Sequence, residues 1–350
     1  MSAMTATAVE PFELRRDDGD LAAGPVALGR SLKRVPLETV LTKANRVAVR
    51  KGAAGTKAFG TMSPKPVDWY CFDAADNEVT DWYPQGLTCS SAAALSRSAF
   101  VVSWYFKPQS VPERGIRLSF LDPVALRYRH VLLVVADPGG GISPINIHAG
   151  GVAWHGNLLY VADTERGLRV FDTRQIFEVN GDGTTTIGRR GGVYSAFGYR
   201  YVMPQTGAWR RTGEARFSFA AVDRSTAPGM LVSGEYVETQ QEAGRVARWA
   251  FEPDGSLRAD ASGVARAVDA YRLPEPKIQG AVSHNGTWYL SQGAGSTRNG
   301  ALLVVGETVA RRPYPVGPED LTCVRDRSDR SAVWSVTEFA GRRALYGVPL

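Results

Sequence analysis

From Val67 onward, short apolar runs alternate with tight turns, and the runs recur in threes. "AGGVAWHG", "NLLYVADT" and "GLRVFDT", starting at Ala149, are the clearest set. Similar sets begin at "PQGLTCSS" (Pro84), "IQGAVSHNG" (Ile278) and "PEDLTCVRD" (Pro318), and a weaker one at "RFSFAAVDRS" (Arg216). Runs this short, rich in Val, Tyr, Trp and Phe, read as strands. Asp182-Gly183, Asp254-Gly255, Asn285-Gly286 and Asn299-Gly300 supply hairpin turns. The sets align on Gly86, Gly151, Ser218, Gly280 and Asp320, which lie 65, 67, 62 and 40 residues apart. A strand-rich unit repeating every 40 residues or more is a propeller blade, and the longer spacings carry insertions.

The pattern predicts an all-β fold: a five-bladed β-propeller over 67–350, with six blades as the alternative count. The last set stops at its third strand. A propeller must close or leave an unpaired edge. "VDWYCFDA", ahead of the first set, is the expected closing strand. Residues 1–66 read as an N-terminal extension. Residues 1–35 are small and polar without a period, and are expected to be poorly ordered. Leu37, Val40, Leu41 and Ala44 are spaced for a short helix over 36–50, with a loop after it.

Composition narrows the function classes. The net charge of +6 is scattered, with no basic stripe, which argues against nucleic-acid binding. No apolar run reaches the roughly 20 residues of a membrane span. The start lacks the basic segment and apolar core of a secretory leader, so a cytoplasmic protein is expected. Three cysteines and four scattered histidines give neither a disulfide framework nor metal spacing. No phosphate loop, Rossmann fingerprint or nucleophile elbow is present. Neither a metal nor an organic cofactor is expected, and a closed propeller is expected to be a monomer.

Propellers bind ligands at one mouth of the central channel. The inner-strand starts place Gln85, His148, Gln279, Glu319 and Asp320 there. The second-strand ends add Trp104, Tyr105, Asp163, Glu165, Glu235, Tyr236, Gln292 and Glu338. Acids recur at matching places in "ADTER", "SGEY" and "VTEF". Carboxylates brought together in a desolvated funnel repel, and some gain raised pKa values suited to general acid catalysis. Glu235, Glu338, His148 and Asp320 are therefore the expected catalytic groups, and the others the expected ligand contacts. The aromatics suit a flat or amine-bearing small molecule.

"YPQGLT", "VVSWYF", "RLSFLDP", "HAGGVAWHGNLLYVADTERGLRVFD", "YVMPQTG" and "MLVSGEY" together resemble a family of actinobacterial β-propeller proteins, mostly described as uncharacterised secreted proteins. The resemblance covers 67–350. Without a leader, this chain is expected to serve an intracellular task such as natural-product biosynthesis. The leading expectation is a cofactor-independent lyase or cyclase, for example in imine-forming ring closure. A five-bladed glycoside hydrolase is the first alternative. It needs two placed carboxylates, but Gln85 stands where such enzymes would present an acid. A non-catalytic ligand- or protein-binding propeller is the second.

Overall fold

Apolar strands separated by turns must cover both sheet faces, and stacking sheets around an axis does so. The computed structural model describes residues 4–108, 111–181, 183–239, 244–325 and 331–350; Asp182 lies outside them. The strands form a β-propeller of antiparallel groups, the first two of which are joined into one sheet by a parallel pairing of Leu132–Val134 with Val202–Pro204. The first comprises Trp82–Cys89, Phe100–Phe106, Ile116–Asp122 and Arg127–Ala136. Val152–His155, Leu158–Asp163, Gly167–Asp172 and Tyr201–Arg211 make the second. Phe219–Asp223, Met230–Gly234, Arg245–Ala250 and Asp269–Arg272 make the third. Ile278–His284, Thr287–Gln292, Asn299–Val305 and Val309–Val316 make the fourth. Pro318–Arg325, Ser331–Thr337, Ala344–Pro349 and the closing Asp68–Cys71 make the fifth.

The innermost strand of each sheet packs on the innermost strands of its neighbours, so they ring one axis. All five sequence anchors lie in these strands or one residue before them. The contact there is backbone on backbone. A Cβ on Gly86 would stand 2.6 Å from the Val152 amide nitrogen, and one on Gly280 would stand 2.6 Å from Asp320 Cα. Gly151 approaches Ala220 more closely still. Asn285 and Gly286 both take positive φ, at 49° and 78°, as a two-residue hairpin of this twist requires. Trp154, Trp249 and Trp288 are buried in the cores between sheets. Asn299 departs from the expected turn. It opens a strand, and its amide donates to the Phe59 and Tyr314 carbonyls at 2.9 and 2.6 Å.

The N-terminal region differs most from expectation. Instead of being poorly ordered, it forms a belt around the outside of the propeller. Thr5–Ala6 pairs with the third sheet, Leu14–Arg16 with the second, Arg46–Val47 with the first and Val49–Arg50 with the fifth. Lys33–Val35 pairs with Ile176–Glu178 of an insertion. The expected helix over 36–50 is confined to Leu37–Thr42, because the chain beyond it is drawn into strand pairing. A second helix, Ala53–Phe59, replaces the expected loop. Such a belt covers sheet edges that would otherwise expose unpaired amides.

Phe12 anchors the belt. It is fully buried and meets Phe217 and Trp249 edge-on at 6.2 and 6.0 Å between ring centres. Phe12→Ala should cost about 3–5 kcal/mol in denaturant unfolding. A loss under about 1 kcal/mol would show that the belt is not part of the cooperative core.

Candidate active site

Along a regular strand, side chains alternate between faces, so a residue's direction is fixed by its parity. Three inner strands break that rule at one place. Their pairing with the second strand slips between Pro84 and Leu87, between Ile278 and Gly280, and between Pro318 and Leu321. A bulge of this kind re-aims a side chain. The residues at the slips include Gln85, Gln279 and Glu319, and all three line a funnel of about 980 Å³ at one mouth of the channel.

Serines on the second strands fix the bulged backbone. Ser103 accepts from the Gly86 amide and donates to the Ala149 carbonyl, both at 2.8 Å. Ser291 and Ser335, from neighbouring sheets, both donate to the Glu319 carbonyl, at 2.5 and 3.1 Å. Glu319 is thereby held at the funnel floor.

Its carboxyl is pushed well above the usual range, by burial first and then by the charges of Glu338 and Asp320. Glu338 stands nearer solvent. Burial pushes it up to about 7, against the hydrogen bond from Gln85 and the charges of Arg343 and Lys107. Gln85 Nε2 donates to Glu338 Oε2 at 3.2 Å. The fully buried Arg343 donates through Nε to the Glu338 carbonyl at 2.7 Å. As pH rises Glu338 ionises first, and its charge then opposes ionisation of Glu319. The pair thus retains at least one proton through neutrality.

The remaining walls are mixed. Asp163 accepts from Arg169 Nε at 2.8 Å, and Arg169 also donates to Gln205. Glu165, at the exposed rim, pairs with Arg216 and Arg211 at 3.2 and 3.5 Å. Tyr236 lines the funnel and donates to Glu238 at 2.5 Å. His148 is in the wall with its ring 4.1 Å from that of Tyr105. Crowding by protein and the Lys107 charge lower its pKa, although part of the residue meets solvent. Tyr105 occupies an adjoining recess shared with His148 and Lys107.

Four expected site residues are placed elsewhere. Glu235, expected to be catalytic, is buried and fully engaged. It forms a two-point ion pair with Arg245 at 2.9 Å and accepts the Arg216 and Arg245 backbone amides. Asp320, also expected to be catalytic, lies on the axis with no solvent exposure. The amides of Leu87 and Val152 donate to its Oδ2 at 3.3 and 3.2 Å, and those of Ala220 and Leu321 also face it. It joins inner strands rather than meeting a ligand. Trp104 is fully buried, donates to Ser119 and lies under the Arg117 and Arg343 guanidiniums. Gln292 turns to the Pro276 carbonyl at 2.8 Å.

The sequence reading missed the serines, although "VVSW", "LVSG", "YLSQ" and "VWSV" carry one at the same place in four sets. It also missed Arg169 and Arg216, which with Arg166 make a basic wall. Those arginines come from turns and second-sheet positions that a search for acids passes over. Among the described residues no cluster has the makings of a metal site.

No protein-family model matches the chain, and no curated protein does either. Solved structures do. The GH43_1 enzyme from Xanthomonas citri with xylotriose has a TM-score of 0.37 at 11% identity, covering 85% of this chain and 93% of that one. CoXyl43, a GH43 β-xylosidase/α-arabinofuranosidase from a compost metagenome, has 0.39 at 12%, covering 86% and 95%. A thermostable family-43 glycoside hydrolase has 0.37 at 10%, covering 77% and 91%. These likenesses are distant, and the chemistry is read from the residues themselves. The expectation of a lyase or cyclase is corrected on its own residues: two of its four catalytic groups are sequestered, Glu235 in its pair with Arg245 and Asp320 among backbone amides.

Asp320→Ala should cost about 3 kcal/mol or more in unfolding free energy, because buried amides lose their acceptor. Asp320→Asn, which keeps one acceptor oxygen, should cost less than half as much. Equal losses would mean that the amides do not depend on this side chain.

Proposed function

We propose that the protein is a glycoside hydrolase whose sheets are the blades of a five-bladed propeller. The observation that carries this reading is Glu338, a carboxyl with its pKa near 7 opening on a funnel of about 980 Å³. A general acid works best when its pKa lies near the working pH. Glu338 gives its proton to the glycosidic oxygen as the bond to the sugar breaks. Asp163, oriented by Arg169, is the second carboxylate. It either activates water or attacks the anomeric carbon, the two courses open to glycosidases.

The other funnel groups match a polyhydroxylated ligand. Gln279 offers an amide, Tyr236 a hydroxyl, and His148, packed on Tyr105 of the adjoining recess, a ring face. Gln85, the residue that counted against a hydrolase, holds Glu338 instead of serving as an acid. At the floor, burial and the Glu338 charge push the Glu319 carboxyl well above the usual range, so it resists ionising beside Glu338.

A panel of 4-nitrophenyl pentosides and hexosides tests the reading. Wild-type protein should release nitrophenol from at least one. On oligosaccharides or alkyl glycosides, whose leaving group must be protonated, Glu338→Gln should lower kcat about 10²- to 10⁴-fold, with a smaller loss on the nitrophenyl substrates. Because Glu338 acts protonated, wild-type activity should fall as pH rises through about 7. Absence of turnover across the panel, or undiminished kcat in Glu338→Gln, would overturn the proposal.

A further inference from the structure

A second cavity, of about 280 Å³, lies at the flank of the first sheet, away from the funnel residues. Five arginines line it: Arg46, Arg114, Arg117, Arg129 and Arg200. Arg46 comes from the belt, Arg117 and Arg129 from the first sheet, Arg114 from the loop before Ile116, and Arg200 from the segment between the Ile187–Ala196 hairpin and Tyr201–Arg211. Carboxylates neutralise only part of this charge. Asp76 takes Arg117 and Arg46 at 2.9 and 3.0 Å, Asp73 takes Arg46 at 3.2 Å, and Glu178 takes Arg200. Five cations against three carboxylates leave a surplus of two. His130 adds no charge, because burial and the Arg117 charge lower its pKa to about 3.

Like charges gathered in a recess cost energy unless something offsets them. Aromatic faces hold these side chains in place. Arg117 lies 4.3 Å over Trp82, Arg129 lies 5.1 Å over Tyr201, and Arg114 sits between Phe106 and Phe197 at 5.6 and 5.7 Å. Stacking fixes the plane of a guanidinium and leaves its edge free to donate. Arg117 is only 4% exposed, yet its Nε–H has no acceptor among the described residues. Arg114 forms no ion pair with a described residue. Burial lowers the pKa of Arg129, and the Arg200 and Arg46 charges contribute. A buried unpaired donor beside surplus positive charge calls for an acceptor carrying negative charge.

We infer that this cavity binds a dianionic oxyanion, a phosphate group either free or on a small organic ester. Planar, stacked guanidiniums match the spacing of phosphate oxygens with paired donors. This inference does not rest on the hydrolase reading, since no funnel acid takes part.

Calorimetric titration at constant ionic strength tests it, with inorganic phosphate and phenyl phosphate as probes. Wild-type protein should bind phosphate at one site per chain, with chloride unable to substitute. Arg114→Gln and Arg129→Gln should each weaken binding roughly tenfold or more, while Arg311→Gln, exposed on the fourth sheet, leaves it unchanged. Unfolding midpoints without phosphate identify the variants that are folded. Equal affinity for the two probes would mark free phosphate as the ligand, and tighter phenyl phosphate an ester held against Trp82 and Tyr199; both support the inference. Absence of saturable phosphate binding, or unchanged binding in both folded cavity variants, would overturn it.

Discussion

Where the inner strands meet, a Cβ at Gly86, Gly151 or Gly280 would collide with neighbouring backbone, and the buried amides need an acceptor. This chain meets that constraint with one carboxyl. Asp320 takes the anchor position that glycine holds in three other inner strands, and amides from the first, second and third sheets face it together with that of Leu321. Burial raises its pKa well above the usual range even with those donors opposing. A neutral or partly neutral acid still accepts hydrogen bonds, so the joint survives without a counter-cation. One of the four residues expected to be catalytic therefore joins the inner strands instead.

The funnel is built on that joint. Glu319 precedes Asp320 in the same bulge, and its carbonyl is tied by serines from two sheets. Fixing Asp320 thus fixes the floor acid. Glu338 is set from the other side by Gln85 and by Arg343. Arg343 also donates to the Asp76 carbonyl at 2.7 Å, and the Asp76 carboxylate gathers Arg117, Arg46, Tyr128 and His130. Burial alone would raise the pKa of Asp76, but the hydrogen bond with His130 and the charges of Arg117 and Arg46 hold it low. Beside arginines the Asp76 carboxyl is held below the usual range, while in the funnel burial raises those of Glu338 and Glu319 above it. The contrast arises from neighbours, since both clusters are buried.

The parts legible in the sequence were those with a period. The triplets of short strands, their anchors and the closing "VDWYCFDA" follow from spacing and turn chemistry, and each lies where a propeller needs it. The belt was illegible because its strands are two or three residues long, too short to show alternation. Phe12, Leu14, Leu28 and Val35 are core residues set among polar ones, and tertiary contact alone orders them. At the mouth, the acids were found by type but not sorted by partner. Whether an acid meets Arg245, as Glu235 does, or another acid, as Glu319 does, depends on residues distant in the chain. The bulges set the direction of Gln85, Gln279 and Glu319, and a bulge leaves no composition signal.

The chemistry of the funnel depends on a proton held at neutral pH by two coupled glutamates. Carbon-13 NMR of glutamate side-chain carboxyls, assigned by Glu338→Gln and Glu319→Gln, measures this directly. One carboxyl should titrate near pH 7 and vanish in Glu338→Gln, while Glu319 titrates higher and moves down once Glu338 is removed. Two carboxyls that both ionise below about pH 5, in the ordinary range, with neither shifted by removal of the other, would contradict it.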